Sequence, residues 1–429
     1  MSAVLDHRTL YRLPWSLSDN TIAWLEPTSK CNIYCEGCYR ANVNKHKSLE
    51  EVASDLDVFE RYRIFDGVSI AGGEPLIHPE IVKIVEMVTR RGYKPIINTN
   101  GVAMTEELLG QLRDAGLVGL TIHIDSKQTR PGWKGKTEME LCELRLQFAQ
   151  MAAKFGLSCA FNSTVYEDTV DTVPDLIDWA QKHIDIVHVM VFICYRAAIV
   201  EEYDGYAGGR RIDMEPLSYA SPTRKMRTDI SSPELIARVR ERHPDFAPCA
   251  YLNGTEKPDS FKWLLTTRIG TKDRIYGYMG PKTIEALQVL HHLATGRYLA
   301  YASPKLLAQG KALLWLWPFD REIRKAFGKA FLDPLLTFRK LRLQSVMIIQ
   351  PADIMSDGRH NMCDGCPDMT VWDGQLAWSC RLEECMRFGQ FVRMVPKAEV
   401  PLPVGQAAGT ERPDCGPESG RGLCPAAGG

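Results

Sequence analysis

The sequence lacks three features that would place the protein in a specialised class. Its 52 Lys and Arg residues nearly balance 53 Asp and Glu residues, so no overall charge attracts nucleic acid, and we expect no nucleic-acid partner. No apolar run approaches the roughly 18 residues that span a bilayer. The N-terminus has neither an apolar core nor a cleavage-site pattern, so we expect no secretory signal and a cytoplasmic protein.

Cysteine, by contrast, is abundant. The chain has 13 cysteines in 429 residues, an odd number in a sequence far longer than the small secreted domains that depend on disulfides. In a reducing compartment, clustered cysteines more often bind metal than form disulfides. We therefore expect metal sites.

Residues 21–195 alternate β-branched runs with helical patterns. Strands separated by helices indicate parallel pairing with crossover helices. The pattern predicts an α/β fold, namely a partial (β/α)6 TIM-type barrel, with a helical insertion and a small C-terminal cysteine-rich module. The six predicted strands are Thr21–Glu26, Gly67–Ala71, Pro95–Asn98, Gly119–Ile124, Ser158–Val165 and Ile186–Phe192.

The remainder of the chain divides by composition. Residues 231–343 have mostly helical patterns, whereas the last part is rich in Pro, Gly and Ala, which favours a mobile segment. The predicted regions are an N-terminal lead-in 1–20, a partial barrel 21–230, a helical, substrate-covering insertion 231–350, a cysteine-rich module 351–395 and a flexible tail 396–429.

Three cysteines directly follow the first predicted strand, in the segment Cys31-Asn32-Ile33-Tyr34-Cys35-Glu36-Gly37-Cys38-Tyr39. A structural zinc ion takes four ligands, usually from two separated pairs. Three thiolates on one loop instead suit a [4Fe–4S] cluster that keeps one iron free of protein ligands. That iron is where a substrate or cofactor could bind.

This CxxxCxxC segment with its following aromatic residue resembles the signature of the radical S-adenosylmethionine (SAM) enzymes. Ala71-Gly72-Gly73-Glu74-Pro75 resembles the GGEP motif of that family, and Asn98-Thr99-Asn100-Gly101 follows at the end of the third strand. These polar residues come at the carboxyl ends of parallel strands, where ligand sites gather. The resemblance covers residues 20–195.

The resemblance implies a cofactor arrangement. Cys31, Cys35 and Cys38 would ligate a [4Fe–4S] cluster, and SAM would chelate its fourth iron. An electron from a reductant such as flavodoxin or ferredoxin would then cleave SAM to methionine and a 5′-deoxyadenosyl radical. The residues that would contact SAM are Tyr39 near the adenine, Gly72, Gly73 and Glu74 at the methionyl ammonium, and Asn100, Ser126 and Asn162 at the ribose or carboxylate.

A second set of cysteines lies near the C-terminus, at Cys363, Cys366, Cys380 and Cys385. Between them, Asp373-Gly374 predicts a type I′ hairpin that would bring Cys380 back toward the first pair. The stretch resembles the SPASM or twitch modules of some radical SAM enzymes, which implies an auxiliary [4Fe–4S] cluster. A four-cysteine zinc ribbon and unligated thiols are the alternatives.

Further Cys and His residues have simpler interpretations. Cys142 and Cys159 fall in core elements and are predicted to pack as small apolar residues. Cys194 and Cys249 are predicted to be inert, with a radical partner or an extra ligand as the alternative, and Cys415 and Cys424 could complete another site. We expect hydrogen-bonded roles for His78 and His123 and a surface position for His291 and His292.

Residues 304–343 combine nine Lys and Arg with three Asp and Glu, a local balance of +6, and interleave them with Trp, Phe and Leu. A basic amphipathic helix of this kind is typical of a membrane interface. The alternative is a helix pair that covers the barrel and leaves its cations solvated. The apolar excess indicates an apolar or lipid substrate, and the motif order is also similar to radical SAM enzymes that modify hopanoid and tetraether lipids.

The leading hypothesis is therefore a radical SAM enzyme with an auxiliary cluster that functionalises an unactivated carbon of an apolar small molecule or lipid, in the cytoplasm or peripherally at the membrane. One alternative is a SPASM-type maturase of a ribosomally made peptide; we expect no leader-recognition domain before residue 21, which disfavours it. The other is a non-catalytic iron–sulfur or zinc protein. The GGEP motif disfavours that reading, because holding a cluster does not require it.

Overall fold

The computed structural model describes residues 5–397. The first strands along the chain are β1 (Tyr11–Arg12), β2 (Ile22–Thr28), β3 (Gly67–Gly72), β4 (Lys94–Thr99), β5 (Gly119–His123), β6 (Ser158–Val165) and β7 (Val189–Cys194). Four short strands follow, β8 (Ala198–Ile199), β9 (Tyr203–Ala207), β10 (Arg210–Ile212) and β11 (Ala220–Ser221). The remaining strands are β12 (Ala250–Leu252), β13 (Trp263–Gly270), β14 (Ile275–Tyr278), β15 (Arg342–Ile349), β16 (Asp353–Ile354), β17 (His360–Asn361), β18 (Met369–Trp372), β19 (Gln375–Trp378) and β20 (Arg393–Pro396).

Helices connect most of the longer strands. The α-helices are α1 (Leu49–Tyr62), α2 (Ile81–Arg90), α3 (Glu106–Asp114), α4 (Leu141–Lys154), α5 (Val173–Lys182), α6 (Ser232–Arg242), α7 (Pro281–Thr295), α8 (Pro304–Leu307), α9 (Gly310–Leu313), α10 (Arg321–Phe331) and α11 (Leu382–Phe388). Short 3-10 helices occupy His7–Thr9, Pro75–Ile77, Val170–Thr172, Leu314–Leu316, Pro334–Thr337 and Ser379–Arg381. None of the helices in residues 5–397 combines the length and apolar character needed to cross a bilayer.

One sheet dominates the fold. Its strand order is β1-β12-β13-β15-β7-β6-β5-β4-β3-β2, with β14 paired to β13. Strands β2 to β7 pair in parallel, as the sequence predicts, and β15 joins them as a seventh parallel strand beside β7. The α/β fold with a parallel sheet is confirmed. Its closure as a partial (β/α)6 barrel stays a prediction.

Local sequence accounts for the helices that cover this sheet. Helix α1 begins at a capping box, in which the Ser48 hydroxyl accepts from the Glu51 amide and the Glu51 carboxylate accepts from the Ser48 amide. Its buried residues Val52, Leu56 and Phe59 recur at helical spacing. These side chains belong to the main hydrophobic core, between the helices and one face of the sheet.

The prediction of mostly helical residues between 231 and 343 is wrong in part. Strands β12, β13 and β14 lie in this region, and β13 pairs antiparallel with β15 along its whole length. The region therefore extends the sheet as well as adding helices to it. The run of Thr266, Thr267 and Ile269, rich in β-branched residues, is the local signal for β13. The boundaries proposed for the five regions stay predictions, and residues 398–429 of the tail lie outside the described residues.

The predicted C-terminal hairpin is present. Strands β18 and β19 pair antiparallel, and both Asp373 and Gly374 have positive φ angles, as a type I′ turn requires. The hairpin packs beside β2 and α1, at the end of the sheet that strand pairing leaves open. This position brings the second set of cysteines to the first parallel strand.

Candidate functional site

Both cysteine sets border the same cavity. The cavity measures about 1480 Å³, and alternate residues of β6, β7, β13 and β15 line it, so one face of the sheet forms its wall. Cys31, Cys35 and Cys38 lie on its wall, at the carboxyl ends of the parallel strands. Cys363, Cys366 and Cys380 lie on the wall as well. The sheet therefore assembles two sets of thiols, more than 320 residues apart in sequence, around one space.

The loop that bears the first set is held by polar contacts at both of its ends. The Asn42 side chain accepts a hydrogen bond from the Cys31 amide (2.8 Å) and donates one to the Cys31 carbonyl (3.0 Å). The Tyr34 amide donates to the Thr129 hydroxyl, and the Gly37 amide donates to the Tyr166 hydroxyl. These bonds fix the backbone that carries the three thiols.

The two glycines of the GGEP motif allow this loop to pack closely on the sheet. A Cβ atom at Gly73 would lie 2.1 Å from the carbonyl oxygen of Lys30. A Cβ at Gly72, which has a φ of +99°, would lie 2.4 Å from the Thr28 carbonyl oxygen. The glycines thus let the end of β3 approach the segment leading to Cys31. From the sequence alone, these two glycines were predicted to lie at a ligand. The structure shows that they also allow β3 to pack against the segment before Cys31.

Glu74 is fully buried and rigidly oriented. Its carboxylate accepts hydrogen bonds from the Thr99 hydroxyl (2.6 Å), the Asn100 amide (2.6 Å) and the Leu76 amide (3.0 Å). Burial raises the pKa of Glu74, and the three donors oppose that shift. A carboxylate can accept about four hydrogen bonds and Glu74 borders the cavity, so Glu74 has the capacity to accept one more from a cation such as an ammonium group.

Asn100 and Asn162 have different surroundings. The Asn100 amide group donates to the Asn32 side chain (2.7 Å) and lies 3.7 Å from the Cys31 sulfur, so it contacts the cysteine loop itself. Asn162 lines the cavity from β6, and its side-chain oxygen is buried without a hydrogen-bond donor. A buried acceptor without a partner is costly, which fits a ligand that supplies the missing donor.

Tyr39 and Ser126 occupy contrasting positions. Tyr39 lines the cavity, and its hydroxyl lies 3.5 Å from the Ser379 hydroxyl oxygen. Ser126 is not among the residues on the cavity wall, and its amide donates to the buried Glu138 carboxylate. The roles of Tyr39, Asn100, Ser126 and Asn162 toward SAM stay predictions.

The first three thiols fit a cluster better than a single ion. Burial raises the pKa of Cys31, Cys35 and Cys38. The charges of Cys31 and Cys38 add to the shift at Cys35 and the charge of Cys31 adds to the shift at Cys38, so the three sulfurs lie within electrostatic reach of one another. Yet within residues 5–397, no three Cys, His, Asp or Glu side chains lie close enough to bind one metal ion. Ligands of a [4Fe–4S] cube bind at separate corners and stand further apart. A bound cationic centre would replace the thiol protons.

The second set is held against the start of β2. The Arg63 guanidinium is buried and donates to the carbonyl oxygens of Leu17, Ile22, Cys366 and Pro367 at 2.9 to 3.0 Å. Arg63 therefore ties the loop after Cys366 to the chain that enters the sheet.

A close backbone approach reinforces this attachment. A Cβ atom at Gly365, which has a φ of +71°, would lie 2.1 Å from the carbonyl oxygen of Trp15. The Asn20 side chain also donates to the Gly365 carbonyl oxygen. The turn between Cys363 and Cys366 thus has a position that requires glycine.

Three of the four predicted cysteines of this set come together. The Cys366 thiol donates to Cys363, which holds the pKa of Cys363 below its usual value, and the charge of Cys363 contributes to the raised pKa of Cys380, about 12, which burial dominates. Cys385 is buried within α11, and the cavity wall does not include it. The cavity wall thus includes three of the four predicted thiols, and the membership of Cys385 in the set stays a prediction.

A polar bridge links the two sets. The Glu26 carboxylate of β2 accepts hydrogen bonds from Ser379 (2.6 Å) and Trp24 (3.1 Å) and forms an ion pair with Arg40. Because Arg40 follows Cys38 and Tyr39 directly, and Ser379 precedes Cys380, this bridge spans from one cysteine set to the other. The sequence offered no signal for it.

The remaining cysteines and histidines that the sequence singled out lie in varied surroundings, and the surface position expected for His291 and His292 is not what the structure shows. Cys142, Cys159, Cys194 and Cys249 are buried, and Cys194 also borders the cavity. His78 bonds the Lys47 carbonyl and the Glu80 amide, and His123 bonds Asp125 and Thr164. His291 and His292 are half-buried and bond Arg297 and Asp19, respectively. Cys415 and Cys424 lie outside the described residues.

Sequence reasoning missed Arg130. This buried guanidinium donates to the carbonyl oxygens of Asn100 (2.6 Å) and His123 (3.0 Å), and burial lowers its pKa. It connects the ends of β4 and β5 and places a positive charge near Cys35 and Glu74. A lone Arg after a strand carries no local signal, because its partners are backbone atoms distant in sequence.

Comparison with known proteins agrees with this site. Residues 25–180 match the model of the Radical SAM superfamily. The tungsten-containing aldehyde ferredoxin oxidoreductase cofactor-modifying protein of Pyrococcus furiosus is 34% identical over 102 residues, which are 22% of this chain and 28% of that protein. The AdoMet-dependent heme synthase of Methanosarcina barkeri is 26% identical over 171 residues, which are 38% of this chain and 47% of that protein.

One solved structure is similar over a comparable extent. It is the Streptococcus suis protein SuiB bound to S-adenosylmethionine, 15% identical, with a TM-score of 0.38, covering 53% of this chain and 48% of SuiB. The chain thus spans less than half the length of each of these three proteins. The motifs and their place at the carboxyl ends of the parallel strands thus agree with the match of residues 25–180 to the Radical SAM superfamily, whose members are enzymes.

Proposed function

We propose that the protein functionalises an unactivated carbon of an apolar, lipid-like substrate by radical SAM chemistry. The observation that carries the proposal is the cavity of about 1480 Å³, which the Cys31, Cys35 and Cys38 loop borders and to which many apolar side chains contribute. Pockets for small ligands usually measure about 300–1,000 Å³. The space is therefore large enough for SAM and a second molecule together.

The composition of the wall supports an apolar substrate. Residues from β7, β15 and the helices α7 to α9 contribute aliphatic side chains, including Val191, Ile193, Met347, Ile349, Leu287, Leu307 and Leu313. An apolar wall of this extent gains free energy by removing apolar ligand surface from water. The names of the relatives, a cofactor-modifying protein and a heme synthase, do not point to one substrate class.

The chain itself would bind and orient SAM. Bound together, the cluster and SAM supply the radical that abstracts hydrogen from carbon. Glu74, fixed by its three donors, would accept from the methionyl ammonium, and the Asn162 oxygen would accept from a ribose hydroxyl or the ammonium. The Asn42 and Asn100 contacts would hold the Cys31 end of the loop in register with Glu74.

We also propose that Cys363, Cys366 and Cys380 bind an auxiliary iron–sulfur cluster. Three thiols face one cavity, two of them share a hydrogen bond, and a buried set of soft ligands suits iron–sulfur better than a hard cation. A flavodoxin or ferredoxin would supply the electron to the first cluster.

Anaerobic reconstitution tests the radical SAM assignment. Iron and sulfide are counted, and 5′-deoxyadenosine is measured after reduction in the presence of SAM. We expect the wild type to form 5′-deoxyadenosine and Cys31→Ala to form none, whereas Cys142→Ala, a buried thiol away from the cavity, retains the activity. Zinc in place of iron, or SAM left intact under strong reductant, would refute the assignment.

Substrate class requires a separate measurement. Organic extracts of the purified protein are examined by mass spectrometry, and lipid fractions are tested for stimulation of 5′-deoxyadenosine formation. We expect a co-purified apolar molecule, and stimulation by the lipid fraction. Stimulation by a peptide fraction alone would instead identify a peptide maturase.

A further inference from the structure

Exposed aromatic side chains are concentrated in one segment. Every exposed Trp and Phe of residues 5–397 lies between residues 315 and 338: Trp315, Trp317, Phe319, Phe331 and Phe338. Trp315 is 77% exposed, Phe331 79% and Phe338 90%. Leu332 and Leu335 add to them at 81% and 58%. Large exposed apolar patches are unusual on soluble proteins and mark interaction sites. We call these side chains the aromatic surface.

Packing explains why these side chains remain outside. Helix α10 buries Ile323, Ala326 and Ala330, and Ala326 lies against Gly277 of β14, so the helix uses its small residues to reach the sheet. Phe327 stacks between Trp317 (5.4 Å between ring centroids) and Phe331 (6.1 Å). The half-buried Phe327 ring thus connects Trp317, directly after the 3-10 helix Leu314–Leu316, to Phe331 at the end of α10.

Positive charge accompanies the aromatic surface. The nine cations and three acids of residues 304–343 leave a balance of +6. Some cations form ion pairs, such as Lys325 with Glu322 and Lys329 with Asp245. Lys305, Arg321 and Lys340 are exposed and form no ion pair within the described residues. A segment that exposes both aromatic side chains and cations without an ion-pair partner matches an interface between an apolar phase and anionic headgroups.

The same segment forms part of the cavity wall. Leu306, Leu307, Leu313 and Leu316 line the cavity, whereas Trp315, between two of them in sequence, is exposed. The wall here consists of two helices of four residues each and one 3-10 turn. A single layer of short elements thus separates the aromatic surface from the apolar cavity.

We propose that the aromatic surface docks the protein on an anionic phospholipid bilayer. The functional interpretation of this docking rests on the proposed function. Docking would place the membrane beside the cavity proposed to hold the apolar substrate. Charge complementarity favours an anionic bilayer over a second copy of the chain as the binding partner of the aromatic surface. A symmetric dimer through this surface would bring together two copies of a segment with a positive balance and three exposed cations that form no ion pair within the described residues, which opposes association.

Vesicle co-sedimentation of the reconstituted full chain tests the proposal. We expect binding to phosphatidylcholine vesicles that contain about 30 mol % phosphatidylglycerol, and at least about tenfold weaker binding to phosphatidylcholine alone. Raising the salt from about 0.1 M to about 1 M, which shortens the Debye length from about 10 Å to about 3 Å, should weaken the binding. Tryptophan fluorescence should shift to the blue on binding to the anionic vesicles.

Two triple variants separate the aromatic and charge contributions. Trp315→Ser/Phe319→Ser/Phe338→Ser and Lys305→Glu/Arg321→Glu/Lys340→Glu should each reduce vesicle binding at least about tenfold. Exposed residues elsewhere provide matched controls, Tyr62→Ser/Val102→Ser/Met139→Ser and Arg61→Glu/Lys134→Glu/Lys225→Glu, which should bind as the wild type does.

Other outcomes would overturn the proposal. Docking on a bilayer is refuted if the surface variants and the control variants lose vesicle binding equally, or if the wild type does not bind anionic vesicles. A concentration-dependent dimer that the aromatic variant abolishes, without vesicle binding, would assign the surface to a second copy. Vesicle binding needs no SAM cleavage, and 5′-deoxyadenosine formation is measured without vesicles. Failure of docking is therefore distinguishable from failure of the proposed function.

Discussion

The two cysteine sets border one cavity but differ in accessibility. Cys31 and Cys35 are half-buried and Cys38 is exposed, on a loop held mainly by backbone and amide contacts. Cys363 and Cys366 are only 8% and 6% exposed and belong to the main hydrophobic core. A cluster that binds an exchangeable ligand must present an open face, whereas a resident centre is protected by burial. If both sets hold the proposed clusters, this difference in exposure suits an exchangeable ligand at the first set and a resident centre at Cys363 and Cys366.

We expect the largest effect on 5′-deoxyadenosine formation from Gly73→Ala, because it would displace the loop that bears the first set of cysteines. Its Cβ would lie 2.1 Å from the Lys30 carbonyl oxygen, so the backbone before Cys31 must move. A displacement near 1 Å at a reacting centre costs about 100-fold in rate, and we expect at least that loss in 5′-deoxyadenosine formation. Gly328→Ala, where a Cβ meets open space, is the control and should leave the rate unchanged. An active Gly73→Ala would show that the close packing is dispensable.

Gly365→Ala places a Cβ atom at an equally crowded position in the turn between Cys363 and Cys366 of the second set. Here the Cβ would meet the Trp15 carbonyl oxygen, and the φ of +71° adds strain. We expect loss of the auxiliary iron, counted by metal analysis, with retained 5′-deoxyadenosine formation. Gly389 has a similar φ of +72°, but a Cβ there would meet no neighbouring atom. Gly389→Ala therefore measures the effect of backbone strain alone. Loss of SAM cleavage in Gly365→Ala but not in Gly389→Ala would show that the two sets act as one unit.

Arg63→Met should lower the free energy of unfolding by about 3 kcal/mol, because it leaves four buried carbonyl oxygens without their donor. Denaturant titration under anaerobic conditions measures the change. Arg61→Met, an exposed position two residues earlier, should change stability by less than about 0.5 kcal/mol. Equal effects at the two positions would contradict the role given to Arg63.

Asn42→Ala should have a smaller effect on the first set. It removes two hydrogen bonds to the Cys31 backbone at a partly exposed site, which contributes about 1–2 kcal/mol. We expect faster release of iron to a chelator, with the second set unaffected. Asn44→Ala, exposed on the same loop, is the control. Unchanged iron release in Asn42→Ala would mean that other contacts hold Cys31.

Local sequence patterns predicted much of the fold. The six parallel strands, the capping box at Ser48 and the turn at Asp373 and Gly374 all depend on neighbours within a few residues, and all are present. Strands β13 and β15 were harder to predict in full. Their pairing joins residues about 80 positions apart, so no short window contains the partner that stabilises them.

The candidate site divides in the same way. The motif residues Cys31, Cys35, Cys38 and Glu74 were identifiable because their chemistry depends on residue type and spacing. Arg63 and Arg130 were not, since each donates to backbone carbonyls that any residue could provide. Cys385 is buried in α11 and does not border the cavity, so its predicted place in the second set stays untested.

The sequence by itself determined the parallel sheet, the likeness of residues 25–180 to the Radical SAM superfamily and the residues with chemistry to offer. Only the tertiary structure decided that both cysteine sets face one cavity, that Glu26 bridges them, and that the aromatic residues of 315–338 remain on the outside of that cavity's wall. The physical reason is that motifs act through residue type and short-range backbone preference. Proximity between distant segments arises from sheet pairing and core packing over the whole chain.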